Sequence, residues 1–171
     1  MINGKTVLAV IPCRSGSKRL PNKNFREWRG KPLWKHALDQ AAGSKYIDRV
    51  KVSRDEDRPP ALCADDASCE DVLRYHQAEQ PHDWIVLLQP TSPLRTAADI
   101  DACIERAQMG IACISGAWGD QRRPNGAVYV ASAEYLAAHD FSYGGAMKYV
   151  MPDERSLDIN TEEDWASLSA S

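Results

Sequence analysis

"TVLAVIPCRSGSKRLPNKN" spans residues 6–24, and its reading decides the fold. The apolar run at its start shows no polar alternation, which suits a strand of a parallel sheet covered on both faces. That strand leads directly into a loop carrying Arg14, Lys18, Arg19 and Lys23, with Ser15, Gly16 and Ser17 between the first two cations. Residues 11–31 hold seven Lys or Arg (Arg14, Lys18, Arg19, Lys23, Arg26, Arg29, Lys31) against one acid, Glu27, a third of the 21 basic residues in a chain of net charge -3. Like charges at that density repel unless an anion separates them. A local positive field on an acidic protein suits a compact polyanion better than a nucleic acid duplex, so nucleic acid is not expected as a partner. The loop is not a Walker A element, since only Gly16 stands where G-x-x-x-x-G-K-[ST] has two glycines. It must therefore act through side-chain cations and backbone N–H groups together.

Working outward, "RVKVS" (49–53), "WIVLL" (84–88) and "IACIS" (111–115) predict further strands. Between them, "PLWKHALDQAA" places Leu33, Ala37 and Ala41 on one helical face, and "AADIDACIERAQ" places Ile100, Cys103, Ile104 and Ala107 on another. Thr96 followed by Asp99 is close to a capping box at the start of the second helix. This strand–helix order implies a doubly wound α/β sheet. With 171 residues, 43% of them hydrophobic, the chain suits a single domain, 1–171. The apolar run before Pro12 is too short for a signal segment or a membrane span, and the expectation is a cytoplasmic protein with no membrane partner. Five cysteines without a CxxC pair, and four histidines without HExxH spacing, predict reduced thiols rather than disulfides or zinc.

In doubly wound sheets ligands bind outside the carboxyl ends of the strands. Two polar loops fall there: the basic loop and "QPTSPLR" (89–95), which directly follows "WIVLL". The stretch 116–125, "GAWGDQRRPN", reads as loop, and the Asn-Gly of "RPNGAVYV" is a two-residue hairpin signal when taken alone.

Four stretches, "IPCRSGSKRLPNKN", "LLQPTSPLR", "RPNGAVYV" and "SLDINTEEDW", occur in the order and style of the CMP-sialic acid synthetases, the cytidylyltransferases that activate 2-keto acid sugars with CTP. The resemblance spans nearly the whole chain. It implies a three-layer Rossmann-like nucleotidyltransferase fold with a mostly parallel sheet. The implied reaction is CTP plus a sugar acid giving CMP-sugar plus pyrophosphate, with Mg2+ as cofactor. It puts Arg14, Ser17, Lys18, Lys23 and Asn24 on the triphosphate, with Arg14 and Lys18 stabilising charge at the reacting phosphorus. "RPPALCADDASC" is similar to the family's R-P-A-E-L-A-x-D-x-A-S-S, which places Arg58, and Ala67 through Cys69, at the cytosine. Cys69 stands where that pattern has serine. Gln89, Thr91 and Ser92 match the part meeting nucleotide and sugar; Arg123, Asn125 and Tyr129 match the sugar side, and Phe141 falls near an aromatic position of the acyl pocket.

The family's D-x-D metal motif reads Asp158, Ile159, Asn160 here. In an extended segment Asp158 and Asn160 project to the same side, as a shared Mg2+ site requires. Glu162, Glu163 and Asp164 read as first-turn acids of a helix capped by Asn160 or Thr161. The chain is also shorter than the family pattern. An edge helix–strand unit is missing after "KVSRDED", and residues 116–122 stand where the family inserts its dimerisation arm. The expectation is a stripped-down synthetase, a monomer or a dimer through another surface. The rival reading is a catalytically weak or inactive CTP-binding module acting with a partner.

Overall fold

β1 (Val7–Pro12) forms where the apolar run predicts it and is buried along nearly its whole length. The computed structural model describes residues 1–64, 66–110, 112–117 and 124–169. In chain order the remaining elements are β2 (Glu27–Trp28), β3 (Lys31–Pro32), α1 (Leu33–Ala42), β4 (Arg49–Ser53), α2 (Cys69–Glu79), β5 (Trp84–Leu87), α3 (Ala97–Ala107), β6 (Ala112–Ala117), β7 (Pro124–Ser132), α4 (Ala133–Ala138), β8 (Met147–Met151) and α5 (Glu162–Ser169). Six strands make one sheet in the order β4-β1-β5-β7-β6-β8, while β2 and β3 form a small hairpin of their own. β1 runs parallel to β4 and β5, β6 runs parallel to β8, and β7 is antiparallel to both of its neighbours. The sheet is therefore mixed but mostly parallel, as expected from the sequence.

Alternate residues of β1 face opposite helical layers, which explains the absence of polar alternation. Val7, Ala9 and Ile11 pack with Ala37 and Ala41 of α1 and with Ile100, Cys103, Ile104 and Ala107 of α3. Leu8 and Val10 pack on the other face with Val72 and Leu73 of α2 and Leu136 of α4. A third cluster, Leu20, Trp28, Leu33, Ile159 and Leu168, lies beyond the strand ends. It fastens the basic loop and the Asp158–Asn160 segment to α1 and α5, so burial of Leu20 and Ile159 positions polar residues on either side of them.

β4 stands at the sheet edge, and two single turns of 3-10 helix, Asp55–Asp57 and Pro60–Cys63, carry the chain directly from it to α2. The Asn-Gly pair does not form a hairpin turn. Asn125 and Gly126 lie inside β7, at a register shift where Ile114 pairs with Tyr129 but Gly116 pairs with Pro124. Gly126 has φ 76, and a Cβ there would meet Gln89 Oε1 at 3.0 Å and Asp158 Cγ at 3.4 Å, so glycine serves both the backbone and the close approach. Residues 118–123, including Arg123, lie outside the described residues.

Asp99 ties the far end of the molecule together. Its fully buried carboxylate accepts from Arg155 Nε at 3.0 Å and Nη2 at 2.8 Å, from Tyr149 Oη at 3.0 Å, and from the N–H and hydroxyl of Thr96. The capping box read from the sequence is thus present at α3. Burial alone would raise the Asp99 pKa, but Arg155, Thr96 and Tyr149 overcome this and hold it below the usual value. A depressed carboxylate contributes stability above its unfolded pKa of about 3.9 and loses it as pH falls through the folded value. Asp99→Ala is expected to cost about 3 kcal/mol in urea unfolding at pH 7, the low end for breaking a buried pair because Arg155 is partly exposed. The difference from the parent should shrink progressively below about pH 3.9.

Candidate active site

The carboxyl ends of β1, β4 and β5 open onto one cleft of about 510 Å³. Its lining draws Arg14, Ser17, Lys18, Arg19, Lys23 and Asn24 from the basic loop, Arg58 and Ala64 from the connection after β4, and Ala67, Ser68 and Cys69 from the start of α2. Gln89, Pro90 and Thr91 come from the loop after β5, and Asp158 and Asn160 from the segment before α5. Four cations of the loop thus face the cleft. The other three basic residues of the 11–31 window are used elsewhere: Arg26 pairs with Glu162 at 2.9 Å, Arg29 stacks on Trp28, and Lys31 pairs with Asp39.

Asp55 anchors the loop. It accepts from the Ser15 N–H at 3.0 Å, the Ser15 hydroxyl at 2.5 Å and Arg58 Nη2 at 3.2 Å, joining the basic loop to the turn after β4. Burial would raise the Asp55 pKa, and these Ser15 and Arg58 contacts bring it below the usual range. Arg58 is itself buried, and its Nε lacks a hydrogen-bond partner. Asn24 Nδ2 donates to the Arg14 carbonyl at 3.0 Å, so this buried side chain fixes the loop backbone beneath Arg14. The buried Arg95 donates to the carbonyls of Gln89 and Ala127, at 2.9 and 2.6 Å. Desolvation lowers its pKa to about 9.

At the cleft floor, Asp158 and Asn160 project to the same side, with Ile159 buried between them. Asn160 Nδ2 donates to Asp158 Oδ2 at 2.6 Å, and Asn160 Oδ1 accepts from Lys23 Nζ at 3.0 Å and Arg19 Nη2 at 3.4 Å. Asp158 Oδ1 is buried without a hydrogen-bond partner. Thr161, not Asn160, caps α5, exchanging hydrogen bonds with Asp164. Burial lowers the pKa of Lys23, opposed by the nearby Asp158.

The α2 side of the cleft is less polar. Ser68 caps α2 by accepting from the Asp71 N–H, and Gln89 Nε2 lies 3.8 Å from Cys69 Sγ. Burial raises the Cys69 pKa. Tyr129 is pushed up to about 12, first by burial and then by Asp158, Cys69 and Glu70; its ring lies 5.1 Å from that of Phe141. Neither aromatic residue lines the cleft, although both sit behind Cys69. Ser92 is fully buried with an unpaired hydroxyl. Asn125 is also turned inward: its amide bonds Ser115, Ser156 and the Ala127 N–H, which supports the β7 bulge.

A family described as cytidylyltransferase matches residues 8–110. The chain belongs to the cytidylyltransferase family. Among curated relatives, the CMP-N,N'-diacetyllegionaminic acid synthase of Legionella pneumophila is 28% identical, with 94% of this chain and 93% of that protein aligned. That alignment runs over 216 positions, more than the 171 residues of this chain, so it opens gaps in the shorter sequence. The N-acylneuraminate cytidylyltransferase of Streptococcus agalactiae serotype III is 28% identical over 92% of this chain, which spans only 51% of that relative. In three dimensions, a CMP:2-keto-3-deoxy-manno-octonic acid synthetase complexed with CTP superposes with TM-score 0.75 and 15% identity, covering 96% of this chain and 97% of that one. The likeness establishes the nucleotidyltransferase fold. Among the described residues no helix is long and apolar enough to cross a membrane.

Cys13, Cys103 and Cys113 are buried, whereas Cys63 and Cys69 are partly exposed. A disulfide reagent at pH 8 should label two thiols in the native protein and all five in denaturant. CTP should slow labelling at Cys69, which lines the cleft, and leave Cys63 unaffected. Equal protection at both sites would separate Cys69 from the cleft ligand.

Proposed function

We propose that the cleft binds CTP and transfers CMP to the anomeric hydroxyl of a 2-keto acid sugar, with release of pyrophosphate and Mg2+ as cofactor. The observation carrying this reading is that Arg14, Lys18, Arg19 and Lys23 face the same cleft as the unpartnered Asp158 Oδ1. Cations alone would suit any polyanion. A buried carboxylate oxygen among them suits a divalent ion that travels with phosphate.

The sugar oxygen forms a bond to the α-phosphorus of CTP while the bond to the pyrophosphate oxygen breaks, and the hydroxyl proton passes to solvent. Charge spreads over the phosphoryl oxygens, so positioning and electrostatic stabilisation do most of the work. Arg14 and Lys18 lie on the triphosphate and stabilise that charge, with Ser17 and Lys23 beside them. Asn24 acts beneath the loop by fixing the Arg14 carbonyl. Arg58 and the Ala67–Cys69 segment face cytosine, and the weak donor of Cys69 leaves much of base selection to backbone groups. Gln89 and Thr91 border both substrates. Tyr129 and Phe141 back the acceptor side, where a pKa of about 12 keeps the Tyr129 hydroxyl a hydrogen-bond donor. We assign Ser92 and Asn125 to support of that wall, and Arg123 to the sugar side by its motif alone.

Asp158 fits a metal ligand because its Oδ1 is buried and unpaired. Among the described residues no cluster of three or more His, Cys, Asp or Glu side chains surrounds it, so substrate phosphates and water would complete the shell. The ion would neutralise phosphate charge as pyrophosphate departs.

The decisive assay is pyrophosphate release from CTP and Mg2+ across sialic, legionaminic, pseudaminic and 3-deoxy-octulosonic acids. Release with at least one acid is expected; CTP binding without turnover on any of them would favour a binding module instead. Arg14→Ala and Lys18→Ala should each weaken CTP binding by about 1.5–3 kcal/mol, roughly ten- to a hundredfold. Asp158→Ala should nearly abolish turnover at saturating Mg2+. Light scattering should show a monomer, or a dimer that persists when residues 116–122 are altered, since so short a connection cannot reach into a neighbouring site.

A further inference from the structure

We propose that Asn160 is a positioning residue, which holds the Lys23 ammonium and the Asp158 carboxylate apart and aimed, and is not itself a ligand of the divalent ion. The inference rests on reading the cleft as a CTP site. Both ends of the Asn160 amide are occupied. Its NH2 group donates to Asp158 Oδ2 at 2.6 Å, and its oxygen accepts from Lys23 Nζ at 3.0 Å and Arg19 Nη2 at 3.4 Å. Chemistry fixes this orientation, because the flipped amide would set its oxygen against a carboxylate and its N–H groups against two cations.

The backbone holds the side chain in place. The Asn160 N–H donates to Asp164 Oδ2 at 2.8 Å, the Ile159 N–H donates to the Thr91 carbonyl at 2.8 Å, and the Ile159 side chain is fully buried. The amide therefore sits at a set place between opposite charges. Being neutral, and both donor and acceptor, it can bond each charge without cancelling either. Asp158 Oδ2 is satisfied by this contact while Oδ1 has no partner, so one carboxylate oxygen is left for an ion. Lys23 is held at the cleft wall for phosphate instead of collapsing onto Asp158 in a direct ion pair. An aspartate at 160 would act differently, opposing Asp158 at hydrogen-bond distance and drawing Lys23 into a salt bridge.

The test is calorimetric titration of CTP in EDTA, and again at saturating Mg2+, for the parent, Asn160→Ala, Lys23→Ala, the double variant and Asn160→Asp. Asn160→Ser replaces the alanine variant if thermal melting shows that the latter is unfolded. Without metal, Asn160→Ala and Lys23→Ala should each weaken CTP binding about tenfold. The double variant should be little weaker than either single one, because both remove the same placed ammonium. Asn160→Asp should also bind metal-free CTP more weakly than the parent. The inference is overturned if Asn160→Ala matches the parent in EDTA, whether or not it binds more weakly with Mg2+, or if the two single losses add in the double variant. Tighter metal-free binding by Asn160→Asp, or parent binding that requires Mg2+, would overturn it too. A parent that binds no CTP even with Mg2+ defeats the CTP reading itself, a different failure from a parent that binds while Asn160→Ala is unchanged.

Discussion

Mutual repulsion of the cations gathered at the end of β1 is the constraint around which the rest is arranged. Arg14, Lys18, Arg19 and Lys23 lie within ten residues of chain and face one cleft. A loop of that composition would spread into solvent if nothing held it. It is held at both ends by groups far away in sequence. Asp55 fixes Ser15 and Arg58 on one side, and on the other Asn160 accepts from Lys23 while donating to Asp158. Leu20, buried against Trp28, Leu33 and Ile159, supplies the apolar anchor between them.

These anchors give a molecular reason why a short chain can retain the walls of the cleft. β4 is an edge strand, and among the described residues two turns of 3-10 helix lie between it and α2, with no further edge unit between the sheet and the cleft. Asp55 lies in the first of those turns and binds the basic loop directly. The opposite wall rests on the β7 bulge, where Asn125 bonds Ser115 and Ser156, and Gly126 makes room for Gln89 and Asp158. Shortening at the edge leaves both walls in place.

Much of this was legible in the sequence wherever a signal was local. The four strands that were predicted formed with small shifts in their bounds, Leu33, Ala37 and Ala41 face the core as their spacing implied, and the Thr96–Asp99 capping box is present. Asp158 and Asn160 share one side because strand-like alternation is also a local rule. Long-range partners were not legible. Asn-Gly signalled a turn, yet pairing of β7 with both β5 and β6 drew it into a strand as a bulge. Asp55 was only one acid among several in "SRDED", and its partner Ser15 lies forty residues earlier. Arg95 offered no sign that it would be buried against main-chain carbonyls. The proposed acceptor side stays the least legible part, since Tyr129 and Phe141 stand behind the cleft wall and Arg123 falls outside the described residues.

The most direct measurement is a crystal structure of this chain with CTP and Mg2+. The expected result places the triphosphate over Arg14, Lys18 and Lys23, cytosine against Arg58 and the Ala67–Cys69 segment, and the ion on Asp158. A nucleotide bound outside the cleft, or bound in reverse with cytosine over the basic loop and phosphates beside Cys69, would contradict it.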